Sequence, residues 1–546
     1  MAKPAIYTTT PIYYVNDKPH IGHAYTSLAA DVLARFKRLD GHEVFFLTGT
    51  DEHGQKVEKA AQDAGEDPQA FTDRVSQAFR DLTAVMGFSN DDFIRTTEPR
   101  HKAACVALWK VLAERGEIYL GDYEGWYAVR DEAFYGPDEL TERDGVKYAP
   151  SGAPVEWVRE PSYFFRLSKW LKVLLERYDL PEGHPDRIEI LPESRRNEVR
   201  AFIQQGLKDF GEGSPKLDLS VSRTSFTWGV KVPGDEAHVM YVWLDALANY
   251  ITAAGFPDTT APRWRFWPAD VQFVGKDIVR FHTIYWPAFL LAAGLPAPRR
   301  VFAHGWWTNE GQKISKSLGN VIDPVALVEE FGLDAVRYFL LREVPFGQDG
   351  DFSRKALVNR LNGELADALG NLANRVLSLI QRNCEGRLPS GDVDASDRQL
   401  LSPMGLILGS NSLTPSDPPH PLVGQLANLP ARVAVELDAQ QFHSALEVVF
   451  GLVRDANAYI TQRAPWALKK TDPVRMAAVL RHLHTALRAY ATVLQPFMPE
   501  TMSALLDQLG VPTDARDFAA LATPLADGTP LPPPAPLFRK IDLAAA

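Results

Sequence analysis

The 546-residue chain has only two cysteines, Cys105 and Cys384, far apart in sequence. That excludes a disulfide framework and any metal site built from several thiolates. No apolar run reaches the roughly 18–20 residues needed to cross a bilayer. The most apolar stretch, Ile284 to Pro296, is short and broken by Pro287, Gly294 and Pro296. The opening residues, MAKPAIYTTTPIYY, lack a cationic patch followed by an apolar core, so no signal peptide is expected. Internal repeats are missing. So is an excess of positive charge: the net charge is −11, which argues against a general nucleic-acid coat protein but leaves room for a local basic face. The remainder, 45% hydrophobic and 23% charged, is that of a soluble globular protein, with length for about three or four domains. The expected location is a reducing cytoplasm.

The first 55 residues alternate strand and helix patterns. Ala5 to Thr10 is β-rich and leads through Pro11 and Pro19 into a turn. His23 to Leu39 has helical spacing, with Leu28, Val32 and Phe36 on one stripe, and Gly41 ends it. Val44 to Thr48 reads as a buried strand. The grammar returns late, with a strand at Val271–Val274, a helix over Lys276–Ala293 and a strand at Arg300–Ala303. Two separated βα blocks predict a doubly wound, Rossmann-like parallel sheet split by an insertion. The insertion, residues 117–226, is rich in aromatics and turns and reads as α+β. The expected divisions are 1–116 and 227–322 for the two sheet halves, 323–353 for a linking segment and 354–546 for a helical bundle. In the last, Arg354–Arg382, Gln440–Ala464 and Val474–Leu494 are long amphipathic runs. Pro389–Pro421 reads as a linker, and the Pro-rich tail Thr523–Pro536 as extended chain on the surface.

Two short segments carry chemistry. Pro19-His20-Ile21-Gly22-His23 falls where a strand and turn hand over to a helix. A helix N-terminus offers free amides and a positive dipole end to phosphate. His20 and His23 are three residues apart, and Gly22 lets a ligand approach the backbone. By themselves two histidines in a turn read as surface residues. Lys313-Ile314-Ser315-Lys316-Ser317 follows a strand and a polar turn; two lysines on a flexible loop can neutralise charge that develops during phosphoryl transfer. By itself a Lys-rich loop reads as a solvated one. The pair, in this order and one in each βα block, is the pattern of the class I aminoacyl-tRNA synthetases, whose HIGH and KMSKS motifs the segments resemble, with Ile for Met in the second.

Longer segments resemble the methionyl-tRNA synthetases, in order and from Ile6 nearly to the end. They are Thr9–Thr26, Phe46–Lys56 (FLTGTDEHGQK), Tyr241–Leu247 (YVWLDAL), Phe273–His282 (FVGKDIVRFH) and Ala303–Pro324. The resemblance implies a methionine site lined by Ile12, Tyr14, Asp51, Trp243, Ala246, Tyr250, Ile278 and His282, with Arg223 engaging the substrate carboxylate or phosphate. It implies ATP at His20, Gly22, His23, Gly275, Lys313, Ser315, Lys316 and Ser317, of which His20, His23, Lys313 and Lys316 are catalytic. A carboxylate at Asp51, at the end of a buried strand, can pair with an amino-acid ammonium, and aromatic rings suit a thioether. Read alone, Trp243 and Ile278 are equally core residues, Asp51 a helix cap, His282 a satisfied core histidine and Arg223 a surface ion pair. Mg²⁺ is expected with ATP.

The resemblance extends to the anticodon. Asn371 and Arg375 share a helix face, and Trp466 can stack an unpaired base, so these three are expected to read a CAU triplet on methionine tRNA, initiator and elongator. Over 354–382 five basic residues face two acidic ones, a basic helix on an acidic protein. Many members carry Cys-x-x-Cys zinc knuckles in the insertion. Here no cysteine lies between Cys105 and Cys384, so no structural zinc is expected and Trp126, Tyr127, Phe134, Tyr135 and Trp157 must hold the region around Lys147–Val155. Ser402–Pro421 departs from the family, and no appended tRNA-binding domain follows, so a monomer with no membrane partner is expected. Two rival readings stay open: a class I synthetase for another apolar amino acid, and a non-catalytic, synthetase-derived RNA-binding protein. Against the first, leucine-, isoleucine- and valine-specific enzymes need an editing domain larger than the insertion, because a methylene gives only about 1–3 kcal/mol of discrimination.

Overall fold

A computed structural model describes residues 3–15, 18–131, 133–309, 311–314, 320–391, 426 and 428–542. The expected linker and insert within 389–421 therefore lie largely outside the described residues. Two compact units are present: one is Ala5–Ala30 with Val44–Trp306, the other Met1–Pro4, Asp31–Glu43 and Trp307–Ala546.

The first unit is built on six parallel strands. They are β1 (Ile6–Tyr14), β2 (Val44–Asp51), β3 (Asp92–Arg95), β4 (Glu189–Leu191), β5 (Val271–Gly275) and β6 (Arg300–His304). Their order across the sheet is β3-β2-β1-β5-β6-β4, and each neighbouring pair is parallel. The order reverses between β1 and β5, which places the topological switch point of a doubly wound sheet there. β2 is buried along its whole length, as a strand covered on both faces must be. Its Gly49 has no alternative: a β carbon there would lie 2.0 Å from the Ile94 carbonyl oxygen on β3.

Helix α1 (Ile21–Leu39) follows β1, and α2 (Pro99–Glu114) follows β3. Two short helices, α3 (Val242–Leu247) and α4 (Asn249–Ala254), precede β5. The expected insertion contains an antiparallel sheet of Leu219–Ser220, Glu156–Phe165, Ile118–Ala128 and Ala133–Tyr135, in that order. It also contains β4, which pairs with β6, so the chain returns to the parallel sheet inside that segment.

Around Lys147–Val155, where no structural zinc is expected, the turn is closed by hydrogen bonds. The Tyr135 hydroxyl donates to Asp131 at 2.9 Å, Ser151 donates to the same carboxylate, and the Ala149 N–H donates to the Ala153 carbonyl at 2.8 Å. Trp126 packs edge-on against Trp157, with centroids 5.3 Å apart, while the Phe134 side chain lies outside the described residues.

The run expected as one helix over Lys276–Ala293 is helical throughout but changes its winding along the way. A short turn at Lys276–Ile278 leads into a widened π turn at Phe281–Tyr285 and then an α-helix at Trp286–Ala293. Pro287 supplies the reason: it has no N–H for the carbonyl of Thr283, and that carbonyl accepts from the Tyr178 hydroxyl instead.

The second unit is mostly helical. It includes α5 (Asn371–Asn383), α6 (Phe442–Arg463), α7 (Pro465–Thr471) and α8 (Pro473–Leu494), with a small sheet of Gln312–Lys313, Trp307–Asn309 and Gly350–Phe352. Its buried Arg337 donates to Asp31 and to the Pro496 carbonyl, each at 2.7 Å, which satisfies a guanidinium with no access to water. The C-terminal tail is pinned rather than loose: the Leu531 N–H donates to the Gly386 carbonyl at 2.8 Å. Among the described residues no helix is long and apolar enough to cross a membrane.

Candidate active site

The site begins at the switch point. His20 and His23, though three residues apart, do not share a helix face: His20 stands just before α1, and its ring packs on that of His23 with centroids 3.9 Å apart. The His20 N–H donates to Nδ1 of His23 at 3.0 Å, and the Gly22 N–H donates to Nδ1 of His20 at 3.1 Å. Both imidazoles therefore accept through Nδ1. In the neutral ring the proton must then sit on Nε2, which makes each histidine a donor at its far nitrogen. Burial lowers the His20 pKa; burial and the neighbouring His20 push that of His23 well down, so both rings are neutral at neutral pH. Gly22 is needed for this arrangement, because a β carbon would lie 2.9 Å from Cε1 of His20. His23 is held from behind by Tyr13 and Phe79, with ring centroids at 4.8 and 5.2 Å.

Three residues here escaped the sequence reading. The Thr26 hydroxyl lies 2.7 Å from Nε2 of His304, tying α1 to the end of β6. Asp277, exposed just beyond Gly275, accepts from the Trp306 indole N–H at 3.1 Å, and its charge opposes the fall in the His20 pKa. It sits inside the FVGKDIVRFH segment, which was the available signal. At Gly275 a β carbon would lie 2.5 Å from the Asp277 carboxylate.

The residues expected around methionine fall into two groups. Ile12 and Tyr14 end β1 and pair in register with Gly49 and Asp51 of β2. Asp51, 5% exposed, is thus the last residue of a buried strand at the carboxyl edge of the sheet. The second group is aromatic. Trp243 lies flat on Phe281, with centroids 3.8 Å apart and an interplanar angle of 12°. His282 donates from Nδ1 to the Ile278 carbonyl at 3.0 Å, so its Nε2 accepts from the Tyr250 hydroxyl at 2.8 Å. Ile278, four residues before His282, thus meets it through this backbone carbonyl. Burial lowers the His282 pKa to about 4, keeping it neutral. Burial above all pushes the Tyr250 phenol up. Ala246 is buried on α3.

Arg223 is 2% exposed, not a surface ion pair. It donates to the Ser220 hydroxyl and the Ser222 carbonyl at 2.7 Å each, and lies 4.6 Å from the Tyr241 ring centroid. Lys313 closes the strand Gln312–Lys313, paired with Thr308. Its side chain and all of Ser315, Lys316 and Ser317 lie outside the described residues.

On the second unit, Trp466 is 48% exposed, and the Arg375 guanidinium stands 5.5 Å from its ring centroid. Ala464 presents it by adopting φ +43°, a left-handed conformation that a non-glycine residue rarely takes. Asn371 donates to Asp367 at 3.1 Å on the preceding turn. The three residues expected at the anticodon thus lie on α5 and α7, with Arg375 and Trp466 in contact.

Residues 6–377 match the family model described as tRNA synthetases class I (M), and residues 414–545 match the anticodon binding domain of methionyl tRNA ligase. The chain belongs to the methionine–tRNA ligases. The Rickettsia bellii methionine–tRNA ligase is 55% identical over 95% of both chains, and that of Brucella suis 51% identical over 98% of both. The Mycobacterium tuberculosis methionyl-tRNA synthetase bound by methionyl-adenylate superposes with a TM-score of 0.88 at 46% identity, covering 98% of this chain and 100% of that one. A class I fold with a synthetase-like sheet and a helical C-terminal region is therefore common to this chain and the methionine–tRNA ligases.

Proposed function

We propose that the chain performs the methionine–tRNA ligase reaction with the following division of labour. Methionine enters with its ammonium at Asp51 and its thioether against Trp243, Tyr14 and Tyr250, with Ile12, Ala246, Ile278 and His282 completing the wall. Its carboxylate attacks the α-phosphate of ATP, which enters as its magnesium complex. The bond to pyrophosphate breaks and methionyl-adenylate forms. The carboxylate is already ionised, so no general base is required, and catalysis consists of positioning and charge stabilisation. His20 and His23, with Gly22 and Gly275 leaving room for the nucleotide, donate from Nε2 to its phosphates. Lys313 and Lys316, with Ser315 and Ser317, stabilise the departing pyrophosphate. Arg223 completes the charge balance on the substrate side. A hydroxyl of the terminal adenosine of methionine tRNA then attacks the acyl carbon and AMP leaves, while Asn371, Arg375 and Trp466 read the anticodon.

The observation that carries this reading is the tautomer lock at His20 and His23. Two neutral imidazoles, each accepting a backbone N–H at Nδ1, are committed as donors at the helix N-terminus beside the sheet's switch point. We also propose a monomer that works in the cytoplasm, and an insertion without structural zinc, the latter supported by the hydrogen-bonded turn around Asp131 and Ser151. The working divisions are 1–116 and 227–322 for catalysis, 117–226 for the insertion, 323–353 for the link and 354–546 for the anticodon.

Amino-acid-dependent ATP–pyrophosphate exchange tests the reading. Methionine supports exchange and leucine and valine do not; exchange with leucine or valine, or the lack of exchange with any amino acid, overturns it.

A further inference from the structure

Asp245 has no part in the reaction above, yet it is fully buried on α3 between Trp243 and Ala246. Its carboxylate accepts twice. His53 donates from Nδ1 to Oδ2 at 2.7 Å, and His101 donates from Nε2 to Oδ1 at 2.7 Å. A carboxylate can only accept, so both tautomers are fixed. Cys105, one turn beyond His101 on α2, places its sulfur 3.2 Å from Nε2 of His101 and 3.6 Å from Oδ1 of Asp245. Burial alone would raise the Asp245 carboxyl, but the charge and hydrogen bonds of His53 and His101 outweigh it and hold the group ionised, well below the usual range.

The cluster is not built for a cation. The 2.7 Å between Nε2 of His101 and Oδ1 of Asp245 is a hydrogen-bond length. Two ligands on a tetrahedral zinc ion stand roughly 3.3 Å apart. The cluster does join three elements. His53 stands two residues beyond Asp51 at the end of β2, His101 lies on α2, and Asp245 belongs to α3. Helix α3 is only six residues long and has no side-chain cap, so its own hydrogen bonds fix its position weakly. An ionised carboxylate without water is costly unless it is well bonded, and a hydrophobic residue of similar size would cost less.

We propose that Asp245 is a positioning residue for the amino-acid pocket: through His53 it fixes the α3 wall, which carries Trp243 and Ala246, against the end of β2, which carries Asp51. The span it holds is the distance between the ammonium anchor and the thioether wall, the dimension by which a pocket measures one amino acid. Charge-assisted bonds between rigid elements hold such a span more tightly than packing alone. The inference rests on the assignment of Asp51, Trp243 and Ala246 to methionine.

The test is Asp245→Asn in the full-length enzyme, read by ATP–pyrophosphate exchange. The amide keeps the shape but can no longer accept two charge-assisted bonds. The KM for methionine rises roughly tenfold while the KM for ATP stays within about twofold, the split expected when one substrate's pocket is loosened. His53→Ala gives the same split, His53→Gln restores most of the affinity through its amide N–H, and the Asp245→Asn, His53→Ala double variant shows no further loss. An unmoved methionine KM overturns the inference, and so does an equal rise for both substrates accompanied by a lower melting temperature. If Asp245→Asn does not fold, the His53 pair decides by the same two constants. Absence of methionine-dependent exchange in the unaltered enzyme overturns the pocket reading as well.

Discussion

The Tyr250 hydroxyl donates to Nε2 of His282 across 2.8 Å, and His282 passes the constraint on by donating Nδ1–H to the Ile278 carbonyl at 3.0 Å. A phenol, an imidazole and a peptide carbonyl thus form one directional chain through the back of the proposed methionine pocket. Removing its first donor strands a buried acceptor. Tyr250→Phe should lower unfolding free energy by about 1–2 kcal/mol and raise the methionine KM, measured by urea denaturation and by exchange. No change in either contradicts the chain.

The same histidine sets a pH dependence. Burial takes its pKa from 6.5 to about 4 in the folded state, so between those values the unfolded chain binds a proton that the folded chain refuses. Stability therefore falls as pH drops from 6.5 toward 4 and levels off below. The loss from this group between about pH 7 and pH 5 is on the order of 2 kcal/mol. His282→Gln should show a correspondingly shallower pH dependence in urea denaturation. An unchanged slope contradicts the assignment.

How much of this was legible in the residues varies with range. β1, α1 and β2 could be read because a β-rich run, a 3.6-residue stripe and a buried run follow one another within 55 residues. The HIGH-like segment was legible because its context, strand then helix, was legible too. β4 was not, since three residues carry no periodicity and its partner lies more than a hundred positions away on β6. The π turn at Phe281–Tyr285 was marked by Pro287, but the partner of the freed Thr283 carbonyl, the Tyr178 hydroxyl, comes from a distant helix. The His53–Asp245–His101 cluster joins residues 192 and 144 positions apart, and such a juxtaposition has no local signature.

At the nucleotide, His20→Ala and Lys316→Ala should each slow adenylate formation by roughly 100-fold, the size of effect seen when one transition-state donor is lost. Methionine binding without ATP, followed by calorimetry, should be nearly intact in both, because these two groups act mainly on the charge that develops in the transition state. An equal loss of ground-state methionine affinity contradicts the roles given to them.

The anticodon side should be separable from the chemistry. Trp466 is half exposed and held by Arg375, as a base-stacking platform requires. Trp466→Ala should cut the efficiency of tRNA charging roughly 10- to 100-fold, the value of one stacked base, and leave exchange untouched. If exchange falls equally, the residue is a packing anchor.

The most direct measurement is a crystal structure with a non-hydrolysable methionyl-adenylate analogue. The account predicts the ammonium at Asp51, the thioether against Trp243 and Tyr250, and the phosphate within hydrogen-bond distance of Nε2 of His20 or His23. An analogue bound with its phosphate away from both imidazoles, or with its side chain outside the Trp243–His282 wall, contradicts it.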